Sequence, residues 1–192
     1  MVTTVLVDLP LSGTAGSTSF PDASGRTWTA TGNAQIQSNR LLCDGTGDWI
    51  ATPFDAGLLL TDRDFRIELR VTTTDSSCCL IDNEFSRVTN GETWGLFLTA
   101  GGLVQWYDTN YGSLNGVTVV NDGLEHLIAV ERTGNLFSVF VDGVLDASAT
   151  RAGLYFMRLP PSLAIGARVN SRTPSQDFSG SIRNVKITRE DV

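Results

Sequence analysis

The chain has 192 residues, and 41% of them are hydrophobic, which predicts one domain over residues 1–192 with a single sizeable core. A net charge of −7 and the lack of grouped Lys and Arg exclude nucleic acid as an expected partner, because phosphates must be met by clustered cations. The stretch MVTTVLVDLP lacks a positively charged start, and no apolar run reaches the length of a membrane span. We therefore expect neither a signal peptide nor a membrane partner.

Short segments in which apolar and polar residues alternate predict β-strands along most of the chain. FRIELRV is the clearest, since its apolar residues fall on one face and its charged residues on the other. Gly, Asn, Asp, Ser and Pro separate the segments, and this spacing predicts an antiparallel sandwich or barrel. Only DAGLLLTD suggests a helical turn. The predicted strands are TTVLVDL, RTWTA, LLCDG, DWIAT, FRIELRV, CCLIDNEF, TWGLFLT, LVQWYD, LEHLIAVERT, LFSVFV, VLDAS, SLAIGARV and SGSIRNVKITR.

Two dipeptides mark hairpins. Gly101-Gly102 and Asp142-Gly143 each lie between two strand patterns and favour tight turns, which need positive φ values. Asp142 is therefore interpreted as a turn residue rather than a catalyst.

The chain has three cysteines, Cys43, Cys78 and Cys79, an odd set without zinc-ligand spacing. Cys78 and Cys79 point to opposite faces if they lie on a strand, so we do not expect them to pair. We expect reduced thiols that pack as small apolar residues, in a protein that folds in a cytoplasm.

The order of the segments suggests a family. From residue 41 to the end, the chain resembles the laminin-G-like branch of the concanavalin A-like lectin and glucanase superfamily in the succession LLCDGTGDWIAT, FRIELRV, WGLFLTAGGLVQWY, DGLEHLIAVERTGNLFSVFVDGVLDAS, LAIGARV and FSGSIRNVKITR. The resemblance implies an all-β fold, a two-sheet antiparallel jelly-roll sandwich. The chain departs from the family at Leu124 and Glu125, which precede His126 where relatives usually have a Trp-His pair. The family includes lectins, adhesion modules, glucanases and structural modules, so no activity is implied.

Retaining glucanases of this fold share a strand motif of the form Glu-x-Asp-x-Glu, in which the first acid is the nucleophile and the last the acid/base. The matching positions here are Leu80, Asp82 and Glu84. Leucine cannot form a glycosyl ester, so we expect no enzyme activity. A glycoside hydrolase with Glu84 as its one usable acid is the weaker alternative.

The chain has one histidine, His126, which cannot form a His-based metal site alone. We expect it to be a packed or surface side chain. Trp28, Trp49 and Trp94 alternate with polar neighbours and are predicted to lie in the core.

The segment QWYDTNYGSLNG combines aromatic rings with polar groups, as sugar sites do. The candidate ligand-binding residues in it are Trp106, Tyr107, Asp108, Asn110 and Tyr111. The alternative is that Trp106 belongs to the core and the loop is an ordinary connection.

A second polar loop, GARVNSRTPSQDFSG, carries Arg168, Asn170, Arg172 and Gln176 between the last two predicted strands. We expect it to form a polar rim beside the first loop, with Arg168 and Arg172 as ligand contacts, or to contact a partner subunit.

We expect no cofactor. Some laminin-G-like modules hold calcium at a rim, and Asp44 and Asp48 in DGTGD are the nearest local pattern, although it is sparse in ligands.

The lead-in FPDASGRTWTATGNAQIQ resembles the start of laminin-G-like proteins of bacteriophage virions. With no signal peptide, this resemblance implies a non-enzymatic virion surface module, either decoration or tail-associated, assembled in the host cytoplasm. Its partners would be capsid or tail proteins, copies of itself in a homo-oligomer, and cell-surface glycans. The competing hypotheses are a dedicated carbohydrate-binding lectin and a secreted chain whose signal has been removed.

Overall fold

The computed structural model describes residues 2–60, 62–83, 94–152, 162–170 and 173–191. These residues form seventeen strands and one 3₁₀ turn at Ala56–Leu58, in line with the single helical turn predicted there. The strands are β1 (Val2–Leu9), β2 (Thr29–Thr31), β3 (Gln35–Gln37), β4 (Arg40–Asp44), β5 (Trp49–Ala51), β6 (Phe65–Thr72), β7 (Cys79–Asp82), β8 (Trp94–Leu98), β9 (Leu103–Asp108), β10 (Gly112–Val119), β11 (Glu125–Thr133), β12 (Leu136–Val141), β13 (Val144–Thr150), β14 (Ala164–Ile165), β15 (Arg168–Asn170), β16 (Thr173–Ser175) and β17 (Ser179–Asp191).

Two antiparallel sheets make up the sandwich. The eight-stranded sheet follows the order β13-β12-β11-β6-β17-β4-β3, with β1 also paired to β17. The seven-stranded sheet follows the order β10-β9-β8-β7-β14-β5-β2, and β15 and β16 form a separate hairpin. The predicted all-β, two-sheet antiparallel sandwich is confirmed. In the part of the chain that the structure describes, no helix has the length and hydropathy needed to span a bilayer.

The core lies between the two sheets because each strand turns its alternate side chains inward. In β6, buried residues alternate with half-buried ones from Phe65 onward, as FRIELRV predicts. Aromatic rings fill the centre, where Phe65 lies 5.7 Å from Trp106 and 6.0 Å from Phe137 between ring centroids. These contacts join β6 and β12 of one sheet to β9 of the other.

Both predicted hairpins form, with one correction of detail. Asp142 and Gly143 have φ values of 52° and 81° and connect β12 to β13, as a two-residue turn requires. Between β8 and β9, only Gly102 has a positive φ, of 71°. Sequence patterns missed β3, β10 and β16, and SLAIGARV, predicted as one strand, spans β14 and the start of β15.

Trp28 and Trp94 are buried in the main core, as predicted. The prediction is wrong for Trp49, which is half-buried against a separate small cluster that includes Ala164 and Val169. This cluster joins β15 to the outer face of the seven-stranded sheet, because Val169 lies on β15, Ala164 on β14 and Trp49 on β5.

The three cysteines are free and buried, as predicted. Burial raises the pKa of both the Cys43 and the Cys78 thiols to about 12. Thiols with such a pKa remain protonated and unreactive at neutral pH.

Candidate functional site

Two of the residues predicted to bind a ligand lie in the core instead. Trp106 is fully buried and stacks on Trp94, with 5.2 Å between ring centroids. Asp108 is also fully buried. Both residues alternate with Gln105 and Tyr107 along β9, so they share the inward face of that strand. The alternative interpretation of Trp106 as a core residue is therefore the correct one, and Asp108 is corrected with it.

Asp108 organises the edge of the core. Its carboxylate accepts hydrogen bonds from the Trp106 indole N–H at 3.1 Å and from the backbone N–H groups of Asn110 and Tyr111 at 3.1 and 2.8 Å. The buried Arg151 forms an ion pair with the same carboxylate and lies over the Tyr111 ring. Such partners are needed, because an unpaired charge in a core is costly. They hold the turn that follows β9 in one conformation.

Tyr107 and Arg168, by contrast, come together on the outer face of the seven-stranded sheet. They line a shallow cavity of about 310 Å³, which we call the outer pocket. Cross-strand pairing builds its floor, since Gln105 lies opposite Phe97 and Tyr107 lies opposite Ser113. The lining residues are Phe97, Gln105, Tyr107, Ser113, Arg168 and Gln176.

Gly95 makes room for the Phe97 ring in the floor of the outer pocket. A Cβ atom at residue 95 would lie 2.4 Å from Cε2 and 2.5 Å from Cζ of Phe97, which is closer than such atoms can approach. The ring therefore extends over the Gly95 backbone, beside Tyr107, which is paired with Gly95. The Arg168 guanidinium lies 5.8 Å from the ring centroid in a cation–π contact. Phe97 is left only 5% exposed.

The β15–β16 hairpin forms one wall of the outer pocket because it is tied to β7. Asp82 accepts a hydrogen bond from the backbone N–H of Val169 at 3.0 Å, and the Gln176 carbonyl accepts one from the Cys79 N–H at 2.8 Å. These two bonds place Arg168 and Gln176 beside the floor strands. Arg168 Nη1 lies 3.5 Å from Gln176 Oε1, so the two side chains meet at the wall.

Asn110 and Tyr111 are not among the described residues that line this cavity. Asn110 is exposed in the turn after β9, and Tyr111 packs partly against the main core. Arg172 lies outside the described residues. Sequence reasoning missed Gln105, although the alternation along β9 puts it on the same face as Tyr107. It also misses Ser113, because the sequence predicts a loop where β10 lies.

The positions that match the glucanase motif do not share a face in the described chain. Leu80 is fully buried in the main core. The strand register shifts between Cys79 and Ile81, which breaks the period of two that a common face requires. Asp82 is 1% exposed, and its carboxylate accepts a hydrogen bond from the Val169 N–H. Glu84 lies outside the described residues.

Asp44 and Asp48, the candidate calcium ligands, hold the loop between β4 and β5. The carboxylate of the buried Asp48 accepts hydrogen bonds from the backbone N–H groups of Asn33 at 2.7 Å and Asp44 at 2.9 Å. The Asp44 carboxylate accepts hydrogen bonds from the Asn33 side-chain amide and from the Thr46 backbone N–H, both at 2.9 Å. Among the described residues, no group of three or more His, Cys, Asp or Glu side chains is placed to hold a metal ion.

His126 is packed at the surface between two aspartates, in line with its prediction. Nδ1 lies 2.8 Å from Asp142 Oδ2, and Nε2 lies 3.1 Å from Asp122 Oδ1. Partial burial works to lower the pKa of His126, but the hydrogen bonds and charges of Asp142 and Asp122 outweigh it and raise the pKa above its usual value. Asp142 also accepts the Leu127 N–H at 2.8 Å, so this turn is fixed to the start of β11.

These features define a class of protein, an all-β sandwich module with a polar, aromatic-floored pocket on one sheet. Residues 44–190 match the Laminin_G_3 family model, which is described as the concanavalin A-like lectin/glucanases superfamily. The chain belongs to this family, as the resemblance of its segments implied. No curated protein sequence matches the chain.

Solved structures of the same fold include three modules of different origin. Domain 4 of AbnA, a GH43 extracellular arabinanase from Geobacillus stearothermophilus in complex with arabinotriose, is 18% identical, with a TM-score of 0.66 over 95% of this chain and 93% of that chain. The receptor binding domain of botulinum neurotoxin C/D mosaic serotype is 13% identical, with a TM-score of 0.71 over 98% of this chain and 48% of that chain. The CBM40 of Ruminococcus gnavus IT-sialidase bound to α2,3 sialyllactose is 17% identical, with a TM-score of 0.56 over 68% of this chain and 77% of that chain.

Proposed function

We propose that this chain is a glycan-binding module and that the outer pocket is its sugar site. The observation that carries the proposal is the convergence of the Tyr107 ring, the amides of Gln105 and Gln176 and the Arg168 guanidinium on one open sheet face. An aromatic face can stack on a sugar ring, and planar polar groups can hydrogen-bond its hydroxyls. Two modules of the same fold support it, since one is described in complex with arabinotriose and another bound to sialyllactose.

The proposed activity is binding without hydrolysis. Retaining glycosidases need two carboxyl groups about 5–5.5 Å apart beside the sugar. The described lining of the outer pocket consists of aromatic, amide, hydroxyl and guanidinium side chains, with no carboxylate among them. Asp82, the nearest match to a glucanase acid, is covered by the β15–β16 hairpin. This composition favours recognition over catalysis.

The finer hypothesis, a decoration or tail-associated module of a bacteriophage virion, stays a prediction, as do capsid partners and a homo-oligomer. Of the alternatives derived from the sequence, the dedicated lectin is the one that the outer pocket favours. A virion module of this kind would use the same pocket to contact cell-surface glycans.

A glycan array probed with the wild-type chain and with Tyr107→Ala tests the proposal. We expect the wild type to bind one class of glycans and Tyr107→Ala to bind it roughly tenfold more weakly, the effect of losing one stacking contact. Asn110→Ala is the matched control, because Asn110 is exposed on the turn after β9 but does not line the pocket. Wild-type affinity in Tyr107→Ala would refute the location of the site. A blank array with folded wild-type protein would refute the function.

A further inference from the structure

The outer face of the eight-stranded sheet carries a group of charges that the proposed sugar site does not use. Glu125 is surrounded there by Arg40, Arg70 and Arg183, and we call these four residues the arginine cluster. They come from β4, β6, β11 and β17, strands that are neighbours in this sheet but distant in the chain. The cluster is therefore a product of the fold, on the sheet opposite the outer pocket.

One carboxylate is shared among three guanidinium groups. Arg183 holds Glu125 with two hydrogen bonds, of 2.8 Å from Nε and 2.5 Å from Nη2. Arg40 Nη2 lies 3.2 Å from Glu125, and Arg70 Nη1 lies 3.6 Å away. The hydrogen bonds from Arg183 keep the pKa of Glu125 below its usual value, so Glu125 is ionised at neutral pH. Its single charge can neutralise only one of the three cations.

The cluster contains a cross-strand pair of like charges. Arg70 and Arg183 lie directly opposite each other on adjacent antiparallel strands. Like charges in this arrangement destabilise a sheet. The pairing occurs in a chain with 21 acidic residues and a net charge of −7, where attractive pairings are easily formed. Local conflicts of this kind are expected at functional sites.

Among the described residues, Asp142 is a further acidic side chain near Arg70, and it does not remove the positive charge of the cluster. Burial works to raise the pKa of Asp142, but the hydrogen bonds from the Leu127 N–H and His126 and the charges of His126 and Arg70 outweigh it and lower the pKa. Arg70 is therefore near enough to Asp142 for its charge to act on this carboxylate. The carboxylate of Asp142 is held by His126 and by the Leu127 N–H. It therefore screens Arg70 without pairing to it at a described hydrogen-bond distance.

The three arginine side chains of the cluster are partly exposed to solvent. A guanidinium group has five N–H donors, and the side chains of Arg40, Arg70 and Arg183 are 33%, 38% and 35% exposed. Arg40 directs Nη1 to Thr72 Oγ1 at 3.0 Å. Thr72 lies opposite Ser181, so two hydroxyl groups flank the cluster. The site thus combines forked cationic donors with neutral hydrogen-bonding groups.

We propose that the arginine cluster is a second binding site, which takes the sulfate or carboxylate group of an acidic polysaccharide. Guanidinium forks match the geometry of these oxoanions, and the adjacent hydroxyls suit the hydroxyl groups of a sugar. A polysaccharide fits because the site is an open sheet face that continues along β6 and β17. Further along these strands, Lys186 lines a second shallow depression with Thr188 and with Arg66 and Glu68. Arg66 is paired there with Glu68 and Glu131, so Lys186 is the cation that this depression adds.

The test uses dextran sulfate as the acidic probe and neutral dextran as its uncharged counterpart. Arg70→Gln is the main variant because Arg70 makes the longest contact to Glu125, so its loss disturbs folding least. Arg63→Gln is the matched control, since Arg63 is 37% exposed and its described acidic contact is to Asp62 at 3.8 Å. We expect Arg70→Gln to bind dextran sulfate roughly tenfold more weakly, as one charge-assisted hydrogen bond is lost, and Arg63→Gln to change binding by less than about twofold. Neutral dextran should not compete, and added salt should weaken binding.

Glu125→Gln provides a second test, because a cluster with only a structural role would not bind dextran sulfate more tightly after this substitution. Removing the internal carboxylate frees Arg183 and Arg40 for the ligand, so we expect tighter binding of dextran sulfate than in the wild type. Tyr107→Ala should leave this binding unchanged, which separates the cluster from the outer pocket. Equal losses in Arg70→Gln and Arg63→Gln, or no wild-type binding, would overturn the proposal. Arg70-dependent binding to phosphatidylserine vesicles that dextran sulfate does not displace would overturn the polysaccharide as the occupant.

Discussion

Replacement of Trp106 by alanine tests whether β9 has the two faces that the structure assigns to it. Trp106 is fully buried, stacks on Trp94 and lies 5.7 Å from Phe65 and 6.4 Å from Phe137 between ring centroids. Its indole N–H also donates to Asp108. Truncation therefore opens a cavity between the sheets and removes one partner from a buried carboxylate.

The size of the effect follows from the buried surface. A tryptophan removes up to about 250 Å² from water, which at about 25 cal/mol per Å² sets an upper limit near 6 kcal/mol. Truncation of a buried Trp typically lowers the free energy of unfolding by about 3–5 kcal/mol. We expect a loss of about 4 kcal/mol for Trp106→Ala, since Arg151 and two backbone N–H groups still hold Asp108. Its neighbour Tyr107 faces the outer pocket, and Tyr107→Ala should cost about 1 kcal/mol or less.

Urea unfolding followed by circular dichroism measures both variants under the same conditions. The midpoint of Trp106→Ala should fall far below that of the wild type at a similar slope, and the midpoint of Tyr107→Ala should hardly move. A loss below about 1 kcal/mol in Trp106→Ala would refute the reasoning. So would an equal loss in the two variants, because adjacent residues on a regularly paired strand such as β9 point to opposite faces.

Two further predictions concern the turn at β11 and the floor of the outer pocket. The pKa of His126 is raised in the folded state. Its contribution to the free energy of unfolding is therefore complete below the unfolded-state pKa of about 6.5, and it is lost as pH rises through the folded-state pKa. The urea midpoint of His126→Gln should accordingly fall further below wild type at about pH 5.5 than at about pH 8.5, and equal differences would contradict the assigned contacts. Gly95→Ala should displace the Phe97 ring from under Arg168 and weaken glycan binding by roughly fivefold in the array assay. Gly101→Ala, whose added Cβ would meet nothing closer than 3.9 Å, is its control, and equal binding by both variants would show that the ring position does not matter.

The fold could be predicted because the alternation of buried and exposed residues is regular in the central strands. FRIELRV corresponds to β6 at Phe65–Thr72. Asp142 and Gly143 form the predicted tight turn, and both have the positive φ values that such a turn requires. β10 was missed because it is an edge strand, in which Val117 and Val119 are exposed and glycine interrupts the pattern. Edge strands bury less, so their sequences are less constrained by the core.

The site was predicted only in part, because both faces of β9 carry aromatic rings. In QWYD, alternation places Trp106 and Tyr107 on opposite faces but does not show which face meets the other sheet. The structure resolves this through the Trp94 stack. Arg168 and Gln176 reach Tyr107 only after the β15–β16 hairpin folds back over β7, a contact between distant parts of the chain that local patterns do not contain.

The same hairpin decides which part of the outer sheet face a ligand can reach. Over β7 and β14, Val169 of the hairpin packs with Ala164 and Trp49, and the Val169 N–H donates to the buried Asp82, which anchors the hairpin. Over β8, β9 and β10, the face stays open and forms the outer pocket. A carboxylate at residue 82 therefore positions a binding wall here, although it matches an acid position of glucanases. Because Asp82 anchors the hairpin, its carboxylate is not available as a catalytic acid. The hairpin that it anchors supplies Arg168 and Gln176 to the neighbouring outer pocket.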